Sequence, residues 1–182
     1  MKDNLKAVSK EVIACRRCGL WKTRTNAVPG EGPSHAGIML IGQAPGKEED
    51  ATGRPFVGKA GRFLDQLLKR NGLDRKKLFI TSPVKCYPPR NRKPHAKELK
   101  KCRPFLDRQL DIIRPRIIVL MGDTPFHSFF PGENLKKHRG KWMVKEQRLF
   151  LPTYHPAAAM RFPSVRKAMQ DDFRKLSISR RT

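Results

Sequence analysis

The segment GIMLIGQAPGKEEDATGRPFVGKAG (residues 37–61) decides the fold class of this chain. It begins with four consecutive apolar residues, Ile38 to Ile41, and then turns abruptly into glycines and a proline. A short apolar run bounded in this way is typical of a strand that is buried on both faces of a sheet. Such strands belong to parallel sheets covered by helices, so the segment predicts an α/β protein.

Three more apolar runs, at residues 78–82, 116–121 and 148–152, also predict strands. Apolar residues between the strands recur at helical spacings of three and four. The two clearest helical faces are Phe63, Leu64, Leu67 and Leu68, and Leu99, Cys102, Leu106, Leu110 and Ile113. Further helices are expected after Asp123 and from about Ser164 to Leu176. The alternation predicts one domain, residues 1–182, with a mainly parallel sheet and a frayed tail from about residue 177.

In such a fold, binding residues gather in the loops at the carboxyl ends of the strands. The four loops concerned are GQAPG, SPVKCYPPRNRKP, GDTP and TYHPAAAMR. The last of them carries His155, directly after a strand and fixed by Pro156. The densest acidic cluster, Glu48, Glu49 and Asp50, follows the first loop and meets His155 at the same sheet edge. The sequence therefore predicts a catalytic site there, with His155 as a candidate residue.

The chain is strongly basic, with 40 Lys and Arg against 16 Asp and Glu and a formal net charge of +24. An excess of this size attracts polyanions, so nucleic acid is the expected partner. Adaptation to a salty or hot cytoplasm is the alternative explanation. No run of about 18 apolar residues predicts a membrane span, and the first 20 residues lack the apolar centre of a signal peptide. A cytoplasmic, monomeric protein is expected.

Four cysteines indicate a thiolate site for a metal. Cys15 and Cys18 form a C-x2-C pair, and fifteen residues separate Cys86 from Cys102. In the cytosol such spacing suggests zinc or an iron–sulfur cluster, and the spacing alone does not separate the two. No histidine is close to any cysteine, except that His95 lies midway between the last two, so four thiolates are favoured. The alternative is a buried helix residue at Cys102 and a surface pair at the C-x2-C.

Other residue types suit a flat, anionic ligand. Phe56 is flanked by glycines near the predicted polar pocket, where an aromatic ring could stack on a flat group, although most phenylalanines are core residues. Basic residues in the loops and the last helix are suited to phosphate contacts, namely Arg90, Arg92, Lys93, Arg161 and Lys167.

Four segments together resemble the iron–sulfur uracil-DNA glycosylases of family 4: GQAPGKEEDATGRPFVGKAG, FITSPVKCYPPRNRKP, CRPFLDRQLDIIRPRIIVLMG and LPTYHPAAAMR. The resemblance runs from about Cys15 to Leu176, with all four cysteines in register. It implies a three-layer α/β/α fold with a central four-stranded, mainly parallel sheet. It also implies that Cys15, Cys18, Cys86 and Cys102 hold a [4Fe–4S] cluster, with zinc the less favoured occupant.

The resemblance further implies an enzyme that flips uracil out of single- or double-stranded DNA and hydrolyses its N-glycosidic bond, while a wedge from the HPAAAMR loop fills the gap. His155 would donate to uracil O2, and an acid would position water and balance the cationic sugar. The residues implied are Gly42, Ala44, Phe56 and Ser82 for the base, and His155, Glu49, Asp50 and Gln43 for catalysis. A sliding clamp is a candidate protein partner.

Two positions depart from the family pattern. Gln43 stands where the family usually has a glutamate in G-E-[AG]-P-G, and a glutamine cannot accept a proton from water. Ser82 stands where an asparagine usually recognises the imide edge of uracil, and one hydroxyl cannot mimic a bidentate amide. Either Glu49 or Asp50 replaces the lost acid, or activity is weak. Reduced selectivity, with excision of other deaminated bases, is expected.

Three alternatives remain open. The first is a DNA-binding iron–sulfur protein of the same fold that has little or no catalysis. The second follows a branch of the superfamily in which a histidine bonds covalently to the abasic sugar, a role for which His95 is the candidate. The third is an electron carrier that uses the cluster, which would leave the pocket motifs without a purpose.

Overall fold

The structure is a computed structural model that describes residues 4–178. Its strands are β1 Ile38–Ile41, β2 Phe79–Thr81, β3 Ile117–Met121, β4 Met143–Lys145 and β5 Arg148–Thr153. Its α-helices are α1 Leu5–Ala14, α2 Lys47–Thr52, α3 Lys59–Arg70, α4 Ala96–Ile113, α5 Asp123–Phe129, α6 Leu135–His138, α7 Pro156–Arg161 and α8 Pro163–Ile178. Residues 177 and 178 belong to α8, and the rest of the expected frayed tail lies outside the described residues.

The strands form one sheet in the order β2-β1-β3-β5-β4. The four strands predicted from the sequence pair in parallel, and every residue of β1, β2 and β3 is buried. Helices α3, α7 and α8 cover one face with residues such as Leu64 and Phe173. Helices α4, α5 and α6 cover the other face with residues such as Leu106 and Phe126. The α/β fold with helices on both faces is confirmed.

The sheet has five strands, not the four that we expected. The additional strand, β4, is short and runs antiparallel to β5 at the sheet edge, where Val144 is 73% exposed. The two strands are joined at Glu146 and Gln147, whose φ angles are 51° and 60°. Two-residue turns with positive φ at both positions normally carry Asn-Gly or Asp-Gly. Because Glu-Gln gives no such signal, the sequence does not predict this hairpin.

The amino-terminal helix α1 packs on α4, and its Val8 and Val12 join a separate apolar cluster with Phe105. This cluster also contains the four cysteines, so it links the amino-terminal arm to the helical layer. None of the helices in residues 4–178 is long and apolar enough to cross a membrane.

Candidate active site

A cavity of about 900 Å³ opens where β1, β3 and β5 end. After β1, the chain adds β2 on one side of it and then crosses to add β3 on the other side. The order in which strands are added therefore reverses at β1. Ligands in open α/β sheets bind at such a reversal, outside the carboxyl ends of the strands. The predicted site residues that line the cavity are Gln43, Ala44, Glu49, Phe56, Ser82, Arg92, His155 and Arg161.

Phe56 forms one wall of the cavity, and glycines hold it in place. Its ring lies so close to Gly42 that a Cβ there would come within 2.5 Å of the ring Cζ. A Cβ at Gly61 would collide with the Phe56 carbonyl. The backbone of Phe56 has a φ of 51°, and the Arg75 guanidinium donates hydrogen bonds to the carbonyls of Pro55 (2.7 Å) and Phe56 (3.3 Å). These contacts keep the strained turn and aim the aromatic face.

His155 lies beside this ring, with the ring centroids 5.9 Å apart and the planes at 33°. It caps α7, and its Nδ1 accepts a hydrogen bond from the Ala157 N–H at 3.2 Å. Burial lowers the pKa of His155 to about 4, and the charge of Glu49 opposes this only in part. The imidazole is therefore neutral at pH 7. Since Nδ1 acts as an acceptor, the proton is on Nε2, which makes His155 a neutral N–H donor.

The acidic cluster that follows β1 is used mainly to hold loops. Glu49 lines the cavity, but its carboxylate accepts three backbone hydrogen bonds, from Gly46 (2.9 Å), Val57 (2.9 Å) and Gly58 (3.0 Å). These three hydrogen bonds hold the loop that carries Phe56 in place.

Asp50 is not brought to the cavity. Its buried carboxylate accepts hydrogen bonds from the Thr25 N–H at 3.0 Å and the Asn26 N–H at 3.4 Å. It therefore ties the segment before β1 to α2. The expectation that Asp50 replaces the missing acid does not fit this placement, because its carboxylate is occupied elsewhere.

The two unusual residues, Gln43 and Ser82, both line the cavity. Within the described part of the chain, the Gln43 amide makes no hydrogen bond, so its oxygen and nitrogen remain available. Ser82 is buried, and its hydroxyl donates to the Val84 carbonyl at 3.0 Å. Because its proton is used in this bond, Ser82 presents lone pairs and acts as an acceptor toward the cavity.

The predicted cations differ in their placement. Arg92 and Arg161 line the cavity, and Arg92 also forms a two-pronged ion pair with Glu98 at 2.7 and 2.9 Å. Arg90 and Lys93 are exposed in the same loop but do not line it. Lys167 is exposed on α8, away from the lining. Lys59, which the sequence did not single out, adds a further cation to the wall.

His95 lies at the start of α4 and not in the cavity. It is the residue that precedes the helix, and its backbone N–H donates to the Glu98 carboxylate at 2.8 Å. This is a helix-capping role. The hypothesis of a covalent bond from His95 to an abasic sugar has no support from this position.

Sequence reasoning missed one acid. Asp123 follows β3 directly, begins α5 and lines the cavity with an exposed side chain. Among the described residues, Glu49 and Asp123 are the carboxylates that line it. An acid immediately after a buried strand was a visible signal, of the same kind that identified His155.

The four cysteines line one small second cavity, together with Trp21, Lys85 and Phe105. All four are free thiols; Cys86 and Cys102 are buried, whereas Cys15 and Cys18 are partly exposed. The Cys86 sulfur accepts a hydrogen bond from the Arg24 guanidinium at 3.1 Å, and the Cys15 sulfur accepts one from a backbone N–H at 3.5 Å.

The electrostatics of this cavity depend on burial and on one buried cation. Burial raises the pKa of Cys102 to about 11, with Lys85 acting in the opposite direction, and burial likewise raises the pKa of Cys86. In residues 4–178, no three His, Cys, Asp or Glu side chains are close enough to hold one metal ion.

Comparison with known proteins gives a consistent family. The family model described as the uracil DNA glycosylase superfamily matches residues 29–177. The type-4 uracil-DNA glycosylase of Sulfurisphaera tokodaii is 50% identical, with 96% of this chain and 84% of that protein aligned. The type-4 enzyme of Archaeoglobus fulgidus is 39% identical over 96% of this chain and 92% of its own. The type-5 uracil-DNA glycosylase of Thermus thermophilus is 32% identical over 70% and 68%.

Proposed function

The chain belongs to the type-4 branch of the uracil-DNA glycosylase superfamily, and we propose that it hydrolyses the N-glycosidic bond of uracil in DNA, leaving an abasic site. One observation carries this proposal. A neutral N–H donor, His155, lies beside an aromatic wall, Phe56, in a cavity at the sheet reversal. A flat base that leaves with negative charge needs both of these groups.

The base must leave the helix before it can react, because a duplex hides the glycosidic bond. Phe56 stacks on the flipped pyrimidine, and the approach of its ring to Gly42 leaves no room for a side chain behind it. As the bond from N1 to C1′ breaks, negative charge collects on uracil O2. The Nε2–H of His155 donates to that oxygen, a kind of stabilisation that is worth roughly 2.7–4 kcal/mol per donor in other enzymes.

The sugar becomes cationic in the same step, and negative charge near it lowers the barrier. Glu49 supplies charge from within the cavity wall, held in place by its three backbone donors. Gln43 orients the attacking water through its unpaired amide, since it cannot accept a proton.

Binding to DNA follows from the excess of positive charge. Arg161 at the rim and the exposed Arg90, Lys93 and Lys167 contact phosphates, with Arg92 held beside the cavity by Glu98. Contacts of this type are sequence-independent and weaken as salt is raised. The wedge comes from α7 and the residue after it, where Met160 is 38% and Phe162 57% exposed. Release of uracil from single- and double-stranded oligonucleotides measures the strand preference.

We further propose that the four cysteines hold a [4Fe–4S] cluster. Their shared cavity, free thiols and hydrogen-bond donors to sulfur suit such a cluster. The resemblance of four segments of the chain to the iron–sulfur glycosylases favours the cluster over zinc, which four thiolates would also suit. When bound, the cluster would supply a structural link between the arm after α1, the loop after β2, and α4.

From the sequence alone, we also propose that the protein acts in the cytoplasm as a monomer, with a sliding clamp as a candidate partner. A DNA-binding protein without catalysis is the weaker alternative, because the donor, the aromatic wall and an acid all line one cavity. An electron carrier would have no use for that cavity.

Ser82 sets the base selectivity in this proposal. Its lone pairs accept the N3–H of uracil, and they would equally accept the ring N–H of hypoxanthine or xanthine, while the N3 of cytosine offers no proton. Ser82→Asn places a larger side chain beside the base and leaves less room for a two-ring purine, so we expect the rate ratio of uracil to hypoxanthine to rise roughly tenfold, about 1.4 kcal/mol. Single-turnover cleavage of oligonucleotides that carry each base measures this ratio.

Ser82→Ala is the matched control. It removes the acceptor together with the bond to Val84, so it should slow excision of all three bases without changing their ratio. An unchanged ratio in Ser82→Asn, in a variant that folds and cleaves uracil, would contradict the assignment of selectivity to this position. Failure of every variant to release any base would contradict the glycosylase proposal itself.

A further inference from the structure

We propose that Asp123 is the catalytic base that takes the proton from the attacking water. The inference rests on the proposed glycosylase function and names the acid that this reaction uses in place of a glutamate at position 43. It follows from which carboxylates reach the cavity and from where the strands place them.

The other acids near the cavity are already occupied. Both oxygens of Glu49 accept backbone hydrogen bonds, three in all, so a proton could be taken up only by breaking one of them. Asp50 is buried against Thr25 and Asn26 and does not line the cavity. Glu98 holds Arg92 and the start of α4. Within the described residues, Asp123 alone combines a place in the lining with a carboxylate that has no hydrogen bond or ion pair.

The sheet sets Asp123 beside the other reactive groups. Strand β3 lies between β1 and β5, so its carboxyl end is flanked by the ends that carry Gln43 and His155. Met121 pairs with Thr153, and the ladder continues as the Gly122 N–H donates to the Thr153 carbonyl at 2.9 Å. Asp123 and His155 therefore leave adjacent strands in the same register, each two residues past that pair.

The loop after β3 begins close to His155. A Cβ on Gly122, the residue before Asp123, would lie 3.2 Å from the Cβ of His155, so the loops that carry Asp123 and His155 begin close together. On the other side, Ile41 pairs with Leu120, which sets Gln43 level with Gly122. Gln43, which orients water, and Asp123, which accepts its proton, thus lie just past the carboxyl ends of neighbouring strands.

The step balances without a co-reactant. The bond from C1′ to N1 breaks, and its electron pair leaves with uracil, whose charge His155 stabilises. The water oxygen forms the new bond to C1′ with one of its lone pairs. One water proton passes to the Asp123 carboxylate and from there to solvent, while the uracil anion takes a proton from solvent after release. Water and nucleotide become an abasic sugar and free uracil.

Single-turnover kinetics on a uracil-containing oligonucleotide test the assignment. Asp123→Asn should slow the chemical step by about 10²- to 10⁴-fold, the usual contribution of a general base, while affinity for the same oligonucleotide stays within about twofold. Asp123→Ala should be slowed equally and should regain part of its rate when formate is added, since a small carboxylate can enter the vacated position. Asp111→Asn, at an exposed acid paired with Arg148 outside the cavity, is the matched control and should react like the native protein.

The outcomes separate this inference from the proposed function. If the native protein is active and the Asp123→Asn variant reacts at the same rate, the role of Asp123 is overturned and the glycosylase proposal still stands. A slow Asp123→Ala variant that formate does not rescue, and whose melting temperature has fallen, would also overturn the role, because the defect would then be structural. A native protein that releases no uracil would overturn both.

Discussion

Replacing His155 with alanine is expected to slow uracil excision by about a hundred- to a thousandfold. The variant loses the N–H that stabilises the departing base, while the aromatic wall and the phosphate contacts remain. DNA affinity should therefore change little, and the loss should lie in the single-turnover rate. Rapid-quench measurement of abasic product, with oligonucleotide affinity measured separately, checks this expectation.

His155→Gln is the informative second variant, because its amide can still donate a hydrogen bond and should recover part of the rate. The pH dependence gives an independent check. The pKa of His155 is lowered to about 4, so the charge of its imidazole does not change between pH 5 and 8. The rate of the native protein should therefore show no step near pH 6.5 that is absent from the His155→Gln variant. A step there, or a full-rate alanine variant, would contradict a neutral donor.

The lowered pKa of His155 also makes the free energy of unfolding depend on pH. The unfolded chain takes up the His155 proton near pH 6.5, whereas the folded chain does so only near pH 4. The free energy of unfolding should therefore fall as pH drops from 6.5 to 4, and His155→Gln should lose less over that interval.

Replacing Cys102 with serine is expected to have the largest effect on stability, on the order of 5 kcal/mol, which is comparable to the whole free energy of unfolding of many domains. Cys102 is buried on α4 in the cluster that also contains Val8 and Val12 of α1. Without its fourth ligand the proposed iron–sulfur cluster should be lost, and the amino-terminal arm should detach. Iron and sulfide content, melting temperature and proteolysis within α1 measure these effects.

Leu99→Ala is the matched control for Cys102→Ser. Leu99 lies on the same helix and packs against the same apolar side chains, but it has no sulfur to bind iron. The variant should therefore keep iron and sulfide in equal amounts. Native protein that contains zinc and no sulfide would contradict the proposed cofactor. A Cys102→Ser variant as stable as native protein would contradict its structural role.

Much of the fold could be predicted, because its strands are short apolar runs between turn residues. The strand predicted at residues 116–121 is observed at Ile117–Met121, and the strand predicted at 148–152 is observed at Arg148–Thr153. The hairpin strand β4 was missed because Glu146 and Gln147 adopt positive φ without the residues that normally signal it. Helix α1 was also missed, since its burial rests on two valines that pack on α4, a contact distant in sequence.

The site was predictable where position along the chain determines position in space. His155 was singled out because loops that follow parallel strands meet at one sheet edge, and Phe56 because glycines flank it near that edge; both line the cavity. The acids were harder to assign, since no pattern tells whether a carboxylate faces a ligand or accepts backbone hydrogen bonds, as Glu49 and Asp50 do. Asp123 was missed although it follows β3 as directly as His155 follows β5.

The most direct test of the central claim is the release of free uracil by the native protein under single-turnover conditions, from single- and double-stranded oligonucleotides with one uracil each. The same strands with cytosine at that position serve as the control. We expect free uracil and an equal amount of abasic site, with no product from cytosine. Tight DNA binding with no base released from either substrate would contradict the claim and leave a DNA-binding protein of the same fold.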